Sequence, residues 1–260
     1  MDRTRALFFS PTGGTAKLAG AVAAGLGLAV ESEDLTLPRG RVESVTFAPG
    51  DVAVIGTPVY AGRVPPLVAA YLAGLDGAGI PAVLLVVYGE RAYEDALLEL
   101  VDICRGRGFA CIAAAAFAAE HSYTRRVGAF RPDDSDLAAA RAFGAAARNK
   151  LAALESLDRL SALGVPGDRP YRDVPAVPPM GPETSFACNQ CGVCAKRCPV
   201  AAISADDCMT VAIERCIRCS SCVKRCTRQA KSFSHPAYLQ RVEMLESGFS
   251  AVRREPELFI

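Results

Sequence analysis

The sequence predicts an α/β protein with a doubly wound, five-stranded parallel sheet, followed by a small α+β domain rich in cysteine. Over residues 4–160, short apolar runs alternate with amphipathic segments, which is typical of parallel strands joined by helices on both faces of a sheet. Nine of the 11 cysteines then fall between Cys188 and Cys226. A proline-rich segment precedes them, and neither a helix nor a central strand tolerates such a segment.

The predicted strands lie at residues 6–9, 28–35, 52–55, 82–87 and 109–118, and the predicted helices at residues 15–26, 66–75, 93–105 and 136–157. Acidic residues interrupt the second strand, which indicates a sheet edge. Five such strands suit the order 2-1-3-4-5, in which a ligand binds at the carboxyl ends of the strands, beside the switch point. A site is therefore expected in the loops that follow the strands. Cys104 and Cys111 flank a helix-to-strand turn and are expected to pack in the core.

Composition excludes several function classes. The chain has 260 residues, of which 51% are hydrophobic and 22% charged, and its net charge is +1, so it lacks the global field that gathers nucleic acid. Its longest apolar stretches, residues 82–87 and 110–119, are shorter than the roughly 18 residues of a membrane span. The apolar run near the N-terminus is too short for a secretory signal. We expect a cytoplasmic protein that neither binds nucleic acid nor spans a membrane.

Composition also changes along the chain. The predicted domains are residues 1–163, a proline-rich linker at 164–183, a cysteine-rich domain at 184–234 and a tail at 235–260. Apolar residues recur in the tail with helical spacing, so a helix is expected there, and a homodimer contact through it is left open. Residues 188–260 carry 11 Lys and Arg against 7 Asp and Glu, so the second domain is basic.

The cysteines form two runs with one spacing. Cys-x2-Cys-x2-Cys-x3-Cys begins at Cys188 and again 28 residues later at Cys216, a pattern that predicts two 4Fe-4S clusters. In this pattern the fourth cysteine of each run binds the other cluster. The predicted ligands are Cys188, Cys191, Cys194 and Cys226 for the first cluster, and Cys198, Cys216, Cys219 and Cys222 for the second. Zinc, the alternative, usually takes two separated pairs of cysteines. Cys208 has no place in either run and is expected to pack as a small apolar residue.

Basic pairs occur at matching places in the two runs, Lys196-Arg197 and Lys224-Arg225. We expect these pairs to compensate the negative charge of the clusters. They also offer a surface that an acidic partner would recognise.

Three loops of the first domain are candidates for a ligand site. Ser10-Pro11-Thr12-Gly13-Gly14-Thr15 joins a strand to a helix and brings hydroxyls and free N–H groups to the helix N-terminus, which favours phosphate binding, although a simple helix cap is the alternative. The loop lacks the lysine of a Walker motif and the glycine pattern of a dinucleotide fold. The loops at 56–65 and 88–95 carry tyrosines, which either enclose a planar ring or only cover apolar surface.

The chain resembles the flavodoxin–ferredoxin fusion proteins of anaerobic bacteria and archaea. Ser10-x-Thr12-Gly13-x-Thr15 is similar to the flavodoxin phosphate loop, and Gly89-x-x-x-Tyr93 to the loop whose tyrosine stacks on the flavin. The resemblance implies FMN, with its phosphate on Ser10, Thr12, Gly13, Gly14 and Thr15, its ring near Pro58, Val59, Tyr60, Ala61, Gly62, Tyr88, Gly89 and Arg91, and Tyr93 stacked on it. The second loop lacks the tryptophan of many free flavodoxins, and Arg91 places a cation where those carriers are acidic or neutral.

These features predict an electron-transfer iron–sulfur flavoprotein that passes electrons between FMN and two 4Fe-4S clusters, to or from a partner redox protein in anaerobic metabolism. The alternatives are a flavin-dependent reductase of a small, quinone-like molecule fed by the clusters, and a redox sensor. Whether the protein is an enzyme or a carrier is left open.

Five residues complete the prediction. His121 is a candidate proton donor, and Arg91 a candidate stabiliser of reduced flavin, against the alternatives of an ordinary loop histidine and a solvated arginine. Asp51 and Glu90 are expected to be solvated charges, and His235 a cap or turn residue.

Overall fold

The central strands are apolar along almost their whole length because helices cover both faces of the sheet. The computed structural model describes residues 1–174 and 176–260, so residue 175 of the predicted linker lies outside the described residues. The strands are β1 (Arg3–Phe8), β2 (Ala29–Asp34), β3 (Asp51–Pro58), β4 (Pro81–Tyr88), β5 (Ala110–Ala118), β6 (Glu183–Thr184), β7 (Lys231–Ser232) and β8 (Glu257–Phe259). The helices are α1 (Gly14–Gly25), α2 (Pro66–Ala73), α3 (Ala96–Gly106), α4 (Asp134–Ala153), α5 (Val193–Lys196), α6 (Ser221–Arg225) and α7 (Pro236–Phe249).

The main sheet has the order β2-β1-β3-β4-β5-β8. Its first five strands are parallel, which confirms the predicted doubly wound α/β architecture. Within residues 1–174 and 176–260 the sheet has six strands rather than the predicted five, because β8 pairs antiparallel with β5, with Ala114 opposite Phe259. The helix predicted for the tail forms as α7, and the chain then returns to the sheet as β8, which the sequence analysis did not predict. A strand of three residues is too short to show a period in the sequence.

Alternate side chains of each strand point to opposite faces of the sheet and pack in two hydrophobic cores, one on each face. Leu7, Ile55 and Leu84 pack beneath α2 and α3, whereas Val54, Leu85 and Phe117 pack beneath α1 and α4. The helices α1 and α4 approach closely at Gly25 and Gly144. A Cβ on Gly25 would lie 2.1 Å from the Arg141 carbonyl oxygen, so only glycine fits there. Cys104 and Cys111 are buried in the core, as predicted.

The proline-rich segment binds the surface of α3 instead of running free. The Asp95 carboxylate accepts the backbone N–H groups of Asp168 at 2.9 Å and Arg172 at 2.8 Å. The guanidinium of Arg169 pairs with Asp102 at 2.6 Å. We call residues 164–174 and 176–182 the strap, because these contacts tie them across the sheet domain.

The cysteine-rich segment repeats its backbone conformation as well as its sequence. Residues with positive φ occur in pairs that are 28 positions apart: Gln190 and Arg218, Gly192 and Ser220, Ala201 and Gln229. The short helices α5 and α6 follow the same interval, and β6 and β7 join the two ends of the segment as an antiparallel pair. The two cysteine runs therefore adopt the same loop, and positive φ at non-glycine residues indicates that tertiary contacts hold this loop in place.

Candidate functional site

The loop between β1 and α1 has the geometry of an anion site. Gly13 caps α1 with φ of +101°, and a Cβ there would meet no atom within 4 Å. The backbone N–H groups of Thr12, Gly14 and Thr15 find no acceptor among residues 1–174 and 176–260. Three free donors at the positive end of a helix attract phosphate.

Ser10 shapes this loop from behind. Its Oγ accepts the N–H of Ala16 at 2.9 Å, and its own N–H donates to Thr36 Oγ1 at 2.8 Å. The buried side chain is thus committed to holding the turn rather than exposed toward a ligand.

Two joined cavities open above the loop. The smaller, about 240 Å³, lies over the phosphate loop, and the larger, about 650 Å³, extends between the sheet, the strap and α7. Together we call them the cleft. Thr12, Gly13, Gly14, Thr15 and Pro58 line the smaller cavity, Ala61, Gly62 and Arg91 the larger, and Val59, Tyr60, Tyr88, Gly89 and His121 both. Most residues that the sequence suggested for FMN therefore meet in one space.

Tyr93 lies elsewhere, buried beneath Tyr88 with ring centroids 5.4 Å apart. It lines neither cavity, so this arrangement does not show the expected stacking position. Its hydroxyl donates to Glu257 Oε2 at 2.6 Å, and burial followed by this carboxylate raises its pKa. Glu257 belongs to β8, for which the sequence contained no signal.

His121 faces the cleft as a neutral imidazole. Its Nδ1 accepts the N–H of Tyr123 at 3.1 Å, so the ring proton resides on Nε2. Burial, and then the nearby cations Lys224, Arg91 and Arg241, lower the pKa of His121 to about 4. Gly89 makes room for the ring, because a Cβ there would lie 2.3 Å from His121 Cδ2.

Asp51 and Glu90 differ from their expected solvated state, whereas Arg91 keeps partial exposure. Arg91 is about one-third exposed (33%) and pairs with Glu94 at 2.7 Å. Asp51 and Glu90 are buried, at 2% and 0% exposure. Asp51 binds Arg3 Nε at 2.7 Å, and Glu90 binds the buried Arg131 at 2.6 Å. The partners of Asp51 and Glu90 are far away in sequence, which is why local patterns gave no indication of either pair.

The second predicted ligand set comes together in the structure. Cys198, from the first run, lies close enough to Cys216 and Cys219 to influence their pKa values. Burial is the larger cause, and it raises the pKa of Cys219 and of Cys222 to about 12. In the first predicted set, Cys188 and Cys194 pack in one apolar cluster with Cys208, which is buried as expected.

The described residues contain no group of three or more His, Cys, Asp and Glu that could hold a single metal ion. The criterion for a single ion does not apply to a 4Fe-4S cluster, because each thiolate binds a different iron. The cysteine sulfurs around a cluster therefore lie further apart than those around one ion. Two other features fit such clusters. Backbone N–H groups at Ala202 and Ala230, 28 positions apart, donate to Cys198 Sγ and Cys226 Sγ, each at 3.2 Å. Hydrogen bonds of this kind stabilise cluster sulfur.

Lys231 is the second feature. Its side chain is buried, and its Nζ donates to two neutral acceptors, Thr184 Oγ1 and the Cys208 carbonyl oxygen, each at 2.5 Å. Its positive charge acts to lower the pKa values of Cys194 and Cys222, which belong to different predicted sets. A buried cation is costly unless negative charge lies nearby. The Asp207 carboxylate lies within reach of this cation, and thiolate-bound clusters would add further negative charge.

The helix α6 joins the cysteine-rich segment to the phosphate loop. Ser221 Oγ donates to the Pro11 carbonyl oxygen at 2.7 Å, and Arg225 Nη2 to the same oxygen at 3.2 Å. Lys224 Nζ binds Glu120 Oε1 at 2.5 Å and the His121 carbonyl oxygen at 2.6 Å. Lys224 and Arg225, which were expected to compensate the clusters and to offer a partner surface, bind the sheet domain. Lys196 and Arg197, at the matching places, are exposed.

Tyr60 brings the cleft and the cysteines into contact. It lines both cavities, and its pKa is raised first by burial and then by its neighbours Cys219, Tyr123 and Cys216. Two cysteines of the second ligand set therefore lie beside a residue of the cleft wall.

Comparison with known proteins finds no matching family model and no matching curated protein. Among solved structures, a flavodoxin from the domain Archaea is 14% identical, with a TM-score of 0.43, and the match covers 58% of this chain and 99% of that one. Flavodoxin 1 from Bacillus cereus is 18% identical, with a TM-score of 0.44 and coverage of 59% and 100%. The flavodiiron protein from Giardia intestinalis is 17% identical, with a TM-score of 0.39 and coverage of 59% and 37%.

The chain's own topology is that of an α/β fold with a mostly parallel sheet, in which β8 is the antiparallel strand. In the part of the chain that the structure describes, no helix is long and apolar enough to cross a membrane.

Proposed function

We propose that this protein is an electron-transfer iron–sulfur flavoprotein, with FMN in the cleft and two 4Fe-4S clusters in the cysteine-rich segment. One observation carries the proposal. The helix α6, which contains Cys222, donates hydrogen bonds to the loop that has the geometry of a phosphate site. Two redox groups bound at these places would be neighbours within one chain.

The chain's own groups suit the flavin. The N–H groups of Thr12, Gly14 and Thr15 would hold the phosphate, and Tyr60 and Tyr88 would enclose the ring. His121 Nε2 would donate a hydrogen bond into the cleft and retain its proton at neutral pH. When bound, FMN would supply one- or two-electron chemistry and the clusters one-electron steps.

The predicted cysteines would hold the clusters in the swapped arrangement given above, which the proximity of Cys198 to Cys216 and Cys219 supports. Because Lys224 and Arg225 are used inside the molecule, the first run would face the partner redox protein. Cys191 is exposed there, beside the exposed Lys196 and Arg197. These cations would favour an acidic partner.

The test is anaerobic purification followed by iron and flavin quantitation. We expect about eight irons and one FMN per chain. Cys219→Ser should lose about half of the iron, whereas Cys208→Ser, an equally buried cysteine outside both sets, should lose none. In a reductive titration, flavin reduction should slow in Cys191→Ser. Full iron without flavin would rule out the FMN site, and flavin without iron would rule out the clusters.

A second function is favoured by a separate observation. The larger cavity, about 650 Å³ and lined by Tyr60 and His121, offers a small molecule access to the position of the flavin ring. A simple carrier needs no such space. We propose on this basis that the chain also reduces a small-molecule acceptor, which a screen of quinone-like oxidants with the reduced protein would test.

A further inference from the structure

The larger cavity reaches beyond the loops that would enclose FMN. Its far wall is built from Val174, Val177 and Met180 of the strap and from Met244 and Leu245 of α7. None of these residues belongs to the three loops proposed for the flavin. This end of the cleft is therefore an apolar space beside the flavin position, with room for another molecule.

Four arginines line the same cavity, Arg91, Arg172, Arg218 and Arg241, and no Asp or Glu is among its described lining residues. Glu94, behind the wall, pairs with both Arg91 and Arg172. Arg218 lies close enough to Tyr123 for its charge to oppose the rise in pKa that burial causes there. Two of the four cations are thus left without a carboxylate partner among the described residues.

Arg241 is one of these two cations. It lies on an exposed position of α7, and no ion pair connects it to a carboxylate in the described chain. Its charge nevertheless acts on His121 and on Tyr123, so it lies near the cleft. A positive potential at the mouth of an apolar cavity favours an anionic ligand.

We infer that this end of the cleft binds a small organic carboxylate with an apolar, planar body. Guanidinium groups match carboxylates in geometry and charge, and the valine, methionine and tyrosine walls match an apolar body. The inference rests on the proposed function in one respect: such a ligand would lie beside FMN and would define the class of small-molecule acceptor.

Calorimetric titration of the purified holoprotein tests the inference, with FMN and iron measured on the same sample. The probes are trans-cinnamate and trans-cinnamamide, which share a shape but differ in charge. We expect cinnamate to bind at least about tenfold more tightly than the amide. Arg241→Gln should weaken cinnamate by about tenfold and leave the amide unchanged, whereas Arg228→Gln, an exposed arginine outside the cleft, should change neither.

Equal binding of the two probes, no effect of Arg241→Gln, or no binding at all would overturn the inference. A second variant, Val177→Trp, should fill the apolar end and abolish binding of both probes while the melting temperature and FMN content stay unchanged. A sample with FMN but no cinnamate binding would reject this site and leave the proposed function standing. Arg241-dependent binding in a sample without FMN would reject the flavin and keep the site.

Discussion

At the scale of single residues, the site depends on groups whose charge state is set by burial. His121 is neutral because its ring is buried among the cations Lys224, Arg91 and Arg241, while the Tyr123 N–H selects its tautomer. It is therefore a hydrogen-bond donor to the cleft at neutral pH, and not a cation.

His121 should resist protonation until the pH approaches 4. Its pKa is lowered from 6.5 to about 4, so between these values the unfolded chain binds more protons than the native one, and stability falls as the pH falls through this window. The total change is about 3 kcal/mol. Histidine-selective NMR on His235→Gln, in which His121 is the only remaining histidine, measures the titration. A midpoint near 6.5 would contradict the buried position.

If the proposed clusters are bound, Lys231 should raise their reduction potential. Its buried ammonium acts on Cys194 and Cys222, and a nearby positive charge stabilises the reduced, more negative cluster. Lys231→Met should lower the potential by roughly 40–90 mV, since a charge interaction of about 1–2 kcal/mol corresponds to this range for one electron. Potentiometric titration followed by EPR measures the shift. Arg228→Met, exposed and close in sequence, is the control, and equal shifts in both variants would remove Lys231 from this role.

At the scale of elements, two nearly identical cysteine loops have different positions in the molecule. Both contain a short helix at the same place and residues with positive φ at the same intervals. In the described chain, α6 contacts the sheet domain through the side chains of Ser221, Lys224 and Arg225, whereas the first run contacts it through the Pro199 carbonyl, which accepts from Arg41. The matching side chains of α5 are exposed. A symmetric sequence repeat thus produces one internal and one outward-facing cluster loop.

Lys224→Met should destabilise the junction, whereas Lys196→Met, 28 positions earlier, should not. The side chain of Lys224 is 11% exposed and binds Glu120, so its loss leaves a carboxylate and two carbonyl groups without their donor, at a cost of about 2–4 kcal/mol. Lys196 is exposed, and its loss should change stability by less than about 0.5 kcal/mol. Anaerobic thermal melts compare the two variants, with hydrogen exchange at residues 119–125 as the local readout. Similar melting temperatures would show that α6 is not held by this contact.

At the scale of the whole molecule, three connections hold the cysteine-rich segment against the sheet. The helix α6 binds the phosphate loop, Arg41 Nη2 donates to the Pro199 carbonyl oxygen at 2.7 Å, and the strap is fixed along α3 by Asp95 and Asp102. The tail adds a fourth connection when β8 completes the sheet. The separation between the two proposed redox sites is thereby fixed by contacts and not by a free linker.

Asp95→Ala should release the strap and expose Arg172 to trypsin. Asp95 is buried and accepts the backbone N–H groups of Asp168 and Arg172, so its loss leaves both donors without a partner in this segment. We expect cleavage after Arg172 to become at least about tenfold faster, because local opening would cost at least about 1.4 kcal/mol less. Asp76→Ala, at an exposed position, is the control. Unchanged cleavage would mean that the strap is held elsewhere.

The sequence alone determined the features that are local in the chain. Apolar runs that alternate with amphipathic segments predicted the parallel sheet, because a strand covered on both faces is apolar along its length. The cysteine spacing predicted a repeated loop, because ligand geometry fixes the interval between ligands. The loop at residues 10–15 was recognisable because a strand directly followed by a helix exposes N–H groups.

Only the tertiary structure decided the rest. Lys224 pairs with Glu120, about one hundred positions away in the sequence. Tyr93 hydrogen-bonds Glu257, and Glu90 pairs with Arg131. Such pairs form only when helices, strands and loops pack against one another. The periodicity of the sequence does not indicate which elements pack together. The two basic pairs have the same sequence but different contacts. The repeat indicates which loop each run can form, and packing decides which of the two loops contacts the sheet domain.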